Sequence, residues 1–191
     1  MKIIKIFRNA LFVFFLYFPF SVVWAAGDPA PVPETGQTTS YGTRDDGFLR
    51  PGVAWPMPRF TDNNNGTVTD NLTGLIWLQD ANCFGAQIWT SALSSANNLA
   101  NGFCKLTDGS VVGDWRLPNR KELKSLIDYG NYNPALPSGH PFSSVQASTY
   151  WSSTTFANDT SIAWIVRLDD GKVGNDRKTG TGYVWPVRGG H

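Results

Sequence analysis

Few side chains in this sequence could do covalent or metal chemistry. The chain carries two histidines, His140 and His191, and two cysteines, Cys83 and Cys104. His140 falls in a stretch punctuated by Gly and Pro, and His191 stands at the last position given, so a triad or a His-based metal site is poorly supplied. The cysteines are not spaced C-x-x-C and have no His near them in sequence, which argues against a reactive thiol pair. The Asp169-Asp170 pair precedes Gly171 and reads as a solvated hairpin turn. The Asp62, Asn63, Asn65, Asp70 cluster invites a calcium reading. However, placing Gly66 at the invariant glycine of an EF-hand loop puts Thr61 first and Leu72 last, neither of which suits the frame. Turn chemistry accounts for these residues, and calcium at the Asp62–Asp70 turn is left open. No cofactor, metal site or catalytic residue is expected. What remains is recognition. Tyr129, Tyr132, His140, Lys172, Arg177 and Lys178 are the candidate contacts: aromatic rings that stack on sugars, and cations that pair with sulfate or carboxylate. The alternative for each is an ordinary solvated loop residue.

These residues must be positioned by a domain that begins after an export signal. Lys2, Lys5 and Arg8 precede the apolar run Ala10–Phe18, Pro19 interrupts it, and Val23-Trp24-Ala25 offers a cleavage site. Residues 1–25 are therefore read as a signal peptide, with cleavage after Ala25, or else after Ala26. An uncleaved anchor is the alternative; the run is short for a membrane span. Removal of the signal leaves 13 basic and 15 acidic residues. That balance gives no whole-surface attraction for nucleic acid or anionic membrane. Export also implies an oxidising compartment, in which Cys83 and Cys104 pair. The loop they close is worth about 3 kcal/mol in the chain-entropy model.

Residues 26–58 form a Pro/Gly-rich lead, with 27–40 extended or flexible and 41–58 irregular chain lying on the domain. A domain follows over 59–191. Phe60–Asp70 reads as a hairpin turning at Asn65-Gly66. Gly74–Leu78 reads as a buried strand, and a helix opens at Trp89-Thr90 with Thr90 as its cap. That helix carries the stripe Ala92, Leu93, Ala96, Leu99, Ala100 and ends at Asn101-Gly102. The densest local signal is Gly113–Leu123. A strand-like Asp114–Leu117 turns into a second helix at about 120–128. Asn119 and Glu122 form a capping box there, and Pro118 and Leu123 are placed for a hydrophobic staple. Residues 129–149 make a long loop. Then come strands at Tyr150–Thr154 and Ala163–Leu168, a hairpin turn into Lys172-Val173, a polar loop over Asn175–Gly182, and a final strand Tyr183–Arg188, with Pro186 marking an edge or bulge. The fold class is α+β: two helices packed on antiparallel strands with a long loop. Trp77, Trp89, Trp115, Trp151 and Trp164 are assigned to the core. An exposed Trp55 or Trp185 would instead suggest a protein interface.

Several ordered motifs carry a family resemblance. They are Asp62–Asp70 with Asn71–Trp77, Trp89 with Ala92, Asp114–Asn119 with Glu122-Leu123, Tyr150–Thr154, Ala163-Trp164 and Val187-Arg188. Together they resemble the bacterial DUF1566 family, also called the Lcl C-terminal domain after the Legionella collagen-like adhesin, over about 59–189. The resemblance implies a C-type-lectin-like fold. It also implies, from the adhesin, a trimer that binds sulfated polysaccharides. This chain has no Gly-X-Y run, so the usual reason for a trimer is absent and the oligomeric state stays open. The Leu117-Pro118 to Glu122 run also looks like that of formylglycine-generating enzymes, which are implied to hold copper on two late cysteines; both cysteines here are early. The tripeptides of calcium-dependent sugar binding are missing. The expectation is an exported, non-catalytic binding module, secreted, periplasmic or at the cell surface. Its ligand would be a sulfated or acidic glycan or another extracellular partner. The alternative is a structural or protein-partner component of a surface assembly; a metal enzyme is the weakest reading.

Overall fold

The computed structural model describes residues 32–189, so residues 1–25, read from the sequence as an export signal, and His191 lie outside the described residues. The architecture is α+β, with two sheets. Strands β1 (Phe60–Asp62), β2 (Thr67–Asp70), β3 (Ile76–Leu78) and β9 (Val187–Arg188) form an antiparallel sheet in that order. The second sheet runs β4 (Ala86–Ile88), β8 (Thr181–Tyr183), β5 (Thr149–Thr155), β6 (Ile162–Arg167), β7 (Val173–Arg177). Its pairs are antiparallel except β5 with β8. Helices α2 (Trp89–Asn97) and α3 (Arg120–Ser125) pack on this five-stranded sheet. A single-turn helix, α1 (Asp46–Leu49), lies in the lead.

Local chemistry explains most of these elements. The β1–β2 turn places Asn64 and Gly66 at positive φ. Gly66 is required there, because a Cβ would meet the Lys105 carbonyl oxygen at 2.7 Å. The capping box at α3 is complete: Asn119 accepts from the Lys121 and Glu122 N–H groups, and Glu122 accepts from the Asn119 N–H at 2.8 Å. Glu122 also holds the Arg116 guanidinium through two bonds of 2.7 and 2.8 Å, which raises the Arg116 pKa.

Four elements differ from the sequence reading. Ile88, not Thr90, is the N-cap of α2, with no side-chain cap bond, and the helix stops at Asn97 rather than at Asn101. Asp114–Leu117 is not a strand; only Arg116 bridges, to Val187. The polar run Asn175–Gly182 is not a loop: it is the end of β7, a turn, and the start of β8. The final strand is two strands. Pro186 interrupts it, and the chain passes from the five-stranded sheet into the four-stranded one at that residue, as expected where a backbone N–H is missing. The Pro186 carbonyl still accepts from the Leu78 N–H at 3.1 Å, and Trp185 Nε1 donates to the Leu78 carbonyl at 2.8 Å.

The core lies between the sheets and under the helices. Trp77, Trp115, Trp151 and Trp185 are fully buried, with Tyr150, Leu78, Leu123 and Leu126. Trp185 meets Trp77 and Phe142 edge-on. Cys83 and Cys104 are bonded across α2. The lead is docked on this core. The Tyr129 N–H donates to the Thr35 carbonyl at 2.9 Å, and Trp55 Nε1 donates to the Glu34 carbonyl at 2.9 Å. At its end Arg59 is buried with its guanidinium 4.5 Å from the Phe60 ring centroid and 5.2 Å from that of Trp55. It pairs with the fully buried Asp70 and donates to the Ser125 carbonyl at 2.9 Å. Burial lowers the Arg59 pKa, and Asp70 works against that shift.

Candidate functional site

A bulge in β5 builds the most distinctive surface feature. Pairing with β6 shifts register between Trp151 and Thr155. The Ser152 hydroxyl donates to the Trp164 carbonyl at 2.8 Å, and the Ser153 N–H donates to the Pro118 carbonyl at 2.8 Å. Thr154 Oγ1 then accepts from the Arg120 N–H at 3.0 Å. The bulge thus clamps the start of α3 against the sheet and sets the Arg120 guanidinium 4.3 Å from the Trp164 ring centroid. Phe156 meets the same ring edge-on at 5.2 Å. On the other side of Thr155, the Lys178 ammonium donates to Thr155 Oγ1 at 2.8 Å and sits 3.9 Å from the Trp89 ring centroid. Trp89 is itself oriented by Nε1 donating to the Ser152 carbonyl at 2.8 Å. Two cation–aromatic pairs therefore flank one threonine. A shallow cavity of about 520 Å³ opens over Arg120, Lys121, Thr154, Thr155, Phe156 and Trp164, and no carboxylate lines it. Among the described residues, no ion pair forms at Arg120, Lys121 or Lys178.

This corrects two core assignments. Trp89 and Trp164 are only partly buried: a cation from a distant part of the chain covers each, Lys178 over Trp89, which also packs on the core, and Arg120 over Trp164, beside Phe156. Arg120 rests its charge on the Trp164 ring, and Asp114, in the segment before α3, accepts from the Val111 N–H.

The six residues singled out in the sequence fall in four places. Lys178 belongs to the shelf just described, and Arg177 precedes it at the end of β7, exposed and opposite Ile162. Lys172 lies at the far end of β7, beside Tyr129. Tyr129 Oη is 3.4 Å from the Gly171 carbonyl, and a Cβ on Gly171 would meet Ile127 at 2.5 Å. Burial and the neighbouring Asp170 raise the Tyr129 pKa. Arg167 there is paired with Asp169 and lies 3.8 Å from Asp170, so this end is electrostatically mixed. Tyr132 is exposed on the 129–149 loop. His140 lies elsewhere again, in a cleft of about 640 Å³ between that loop and the lead, with Trp55, Glu34, Asp128 and Asn131 on its walls. Sequence reasoning missed Arg120, Trp164, Phe156 and Thr155 as one surface, and Trp89 as the ring under Lys178. The only signal for it was two cations placed in the first turn of α3.

In the β1–β2 hairpin, Asp62 accepts from the Asn64 N–H and from the Gln79 amide, and Asn65 accepts from Thr67. These side chains serve the turn. Among the described residues, no group of three or more His, Cys, Asp or Glu is arranged to hold a metal ion. No helix among them is long and apolar enough to cross a membrane.

No curated protein matches the chain. The model of the Lcl C-terminal domain matches residues 66–188, which include β2 through β9, both sheet-packed helices and the cation–aromatic shelf. The chain belongs to the Lcl C-terminal domain family.

Proposed function

We propose that this chain is an exported, non-catalytic recognition module at the cell surface or beyond it, and that it binds a sulfated or otherwise acidic glycan on the shelf around Thr155. Family membership supports a surface-associated domain, and the Cys83–Cys104 bond fits an oxidising compartment. One observation carries the ligand class: Arg120 and Lys121 share one cavity with Trp164 and Phe156, no carboxylate lines it, and a second cation–aromatic pair, Lys178 on Trp89, lies across Thr155 outside that cavity. Ring faces suit the apolar faces of pyranoses, and unpaired cations suit sulfate or carboxylate groups. Such contacts are exposed, so they weaken as salt rises and the Debye length shortens.

The test is heparin binding by the mature chain at rising ionic strength, with Arg120→Gln/Lys121→Gln and Lys178→Gln compared with wild type. Affinity should fall steadily with salt. The double variant should lose about tenfold, which is ~1.4 kcal/mol. Binding that ignores salt, or that survives both variants unchanged, refutes this site.

A further inference from the structure

We propose that the cleft between the lead and the 129–149 loop is a second, separate site, and that it takes an uncharged oligosaccharide of two or three pyranose rings. Its volume, about 640 Å³, lies within the range of about 300–1,000 Å³ typical of small-molecule sites. Its walls are stiff. Pro56, Pro58, Pro137 and Pro141 line it, so little chain entropy is lost when it fills. Trp55 supplies a ring platform whose orientation is held by its Nε1 bond to the Glu34 carbonyl and by the Arg59 guanidinium beside it.

The arginines around this cleft are already paired, in contrast to the cations of the shelf. Glu34 pairs with Arg50 at 2.9 Å, and Arg59 pairs with Asp70. Asp128 accepts from the Gly130 N–H at 2.7 Å and from the Asn131 amide at 2.8 Å. An anionic ligand therefore finds no free cation here. Uncommitted hydrogen-bonding capacity does remain. His140 lines the cleft with backbone groups of His140 and Phe142 against its ring, and its buried Nδ1 has no partner. Burial also favours the neutral imidazole, which offers one donor and one acceptor. Asn131 and Ser138 are joined only by a long 3.5 Å contact. A hydroxyl both donates and accepts, so polyhydroxylated rings match this set, and the Trp55 face takes their C–H side.

The site is independent of the acidic-glycan reading, and its test keeps the two apart. Cellotriose, maltotriose, mannotriose and chitotriose are offered to the mature chain at about 0.5 M salt, where surface electrostatics are screened. Binding is read by saturation-transfer NMR and calorimetry. At least one trisaccharide should bind, Trp55→Ala and His140→Ala should each weaken it by about tenfold, and Trp55→Phe should restore most of the affinity. Near-UV circular dichroism checks that the variants are folded, and Arg120→Gln/Lys121→Gln should bind the trisaccharide as wild type does. No binding of any of the four at about 10 mM overturns the proposal. So does binding that persists in Trp55→Ala and His140→Ala, or that strengthens as salt is removed.

Discussion

Replacing Asp70 with Asn should be among the most damaging single changes in the molecule. The carboxylate is fully buried, and Arg59 beside it is nearly so. In the variant, the guanidinium remains between Phe60 and Trp55 with the Ser125 carbonyl and a neutral amide oxygen as partners and the Asp128 charge as its remaining counter-charge, and its Nε already has none. Removing one member of a buried ion pair costs about 3–5 kcal/mol, because the other charge is left uncompensated. Asp70 also accepts from the Leu72 N–H at 2.8 Å and the Thr73 hydroxyl at 2.7 Å, and an amide preserves only part of that set. The loss is a large share of a typical total of about 5–15 kcal/mol. Arg59→Met removes the stranded charge instead, so Arg59→Met/Asp70→Asn should be more stable than Asp70→Asn alone. The assay is urea unfolding followed by tryptophan fluorescence, with the m-value checked for constancy. Arg59 also supports Trp55, so the lead should become more protease-sensitive in Arg59→Met than in wild type. A loss under about 1 kcal/mol for Asp70→Asn, or a double variant that costs the sum of its parts, would refute the claim that the pair is a coupled buried unit.

Two further outcomes are expected. Asn119→Ala should cost about 1 kcal/mol in urea midpoint experiments, the usual value of an N-cap. Glu122→Ala should cost more, because it removes the reciprocal cap and the two-pronged Arg116 contact together; equal costs would show that the Arg116 pair contributes nothing. The second outcome concerns His140, whose pKa is pushed below its ordinary 6.5, chiefly by burial. The unfolded chain then binds more protons than the folded one between the two values, so this histidine's contribution to stability is complete above 6.5 and is lost as pH falls toward the folded pKa. Thermal unfolding should show that decline in wild type and a flatter profile in His140→Gln; identical slopes would remove His140 as its source.

The parts of this fold legible in the sequence are those whose cause is local. Asn119 and Glu122 announce the start of α3 because a capping box needs only four residues. Val68, Trp77 and the aromatic and β-branched runs of β5 and β6 point to strands because such side chains fit a pleated surface. β7 and β8 were not legible. Asn175, Asp176 and Arg177 are polar and exposed, and they are held in an edge strand by hydrogen bonds to β6, which composition does not reveal. Trp89 and Trp164 failed for a related reason. An apolar ring signals only that it needs cover. Whether the cover is leucine or a charged side chain depends on Lys178 and Arg120, which lie far from those rings in the chain. The candidate site was half legible for the same reason. Its residue types could be chosen, but their convergence depends on a β-bulge that leaves no mark in the pattern.

The switch of sheets at Pro186 also governs when this domain can fold. β8 lies inside the five-stranded sheet, between β4 and β5, and β9 completes the other sheet beside β3. A nascent chain that has not yet delivered residues 181–188 has β4 without a strand partner, an open edge on β3, and no Trp185 to fill the space beside Trp77. Neither sheet can be finished early, because both wait for the same eight residues and for contacts that span most of the domain. Such a chain stays incompletely folded until its C-terminal strands emerge. That dependence makes any truncation before Thr181 a failure of both sheets at once.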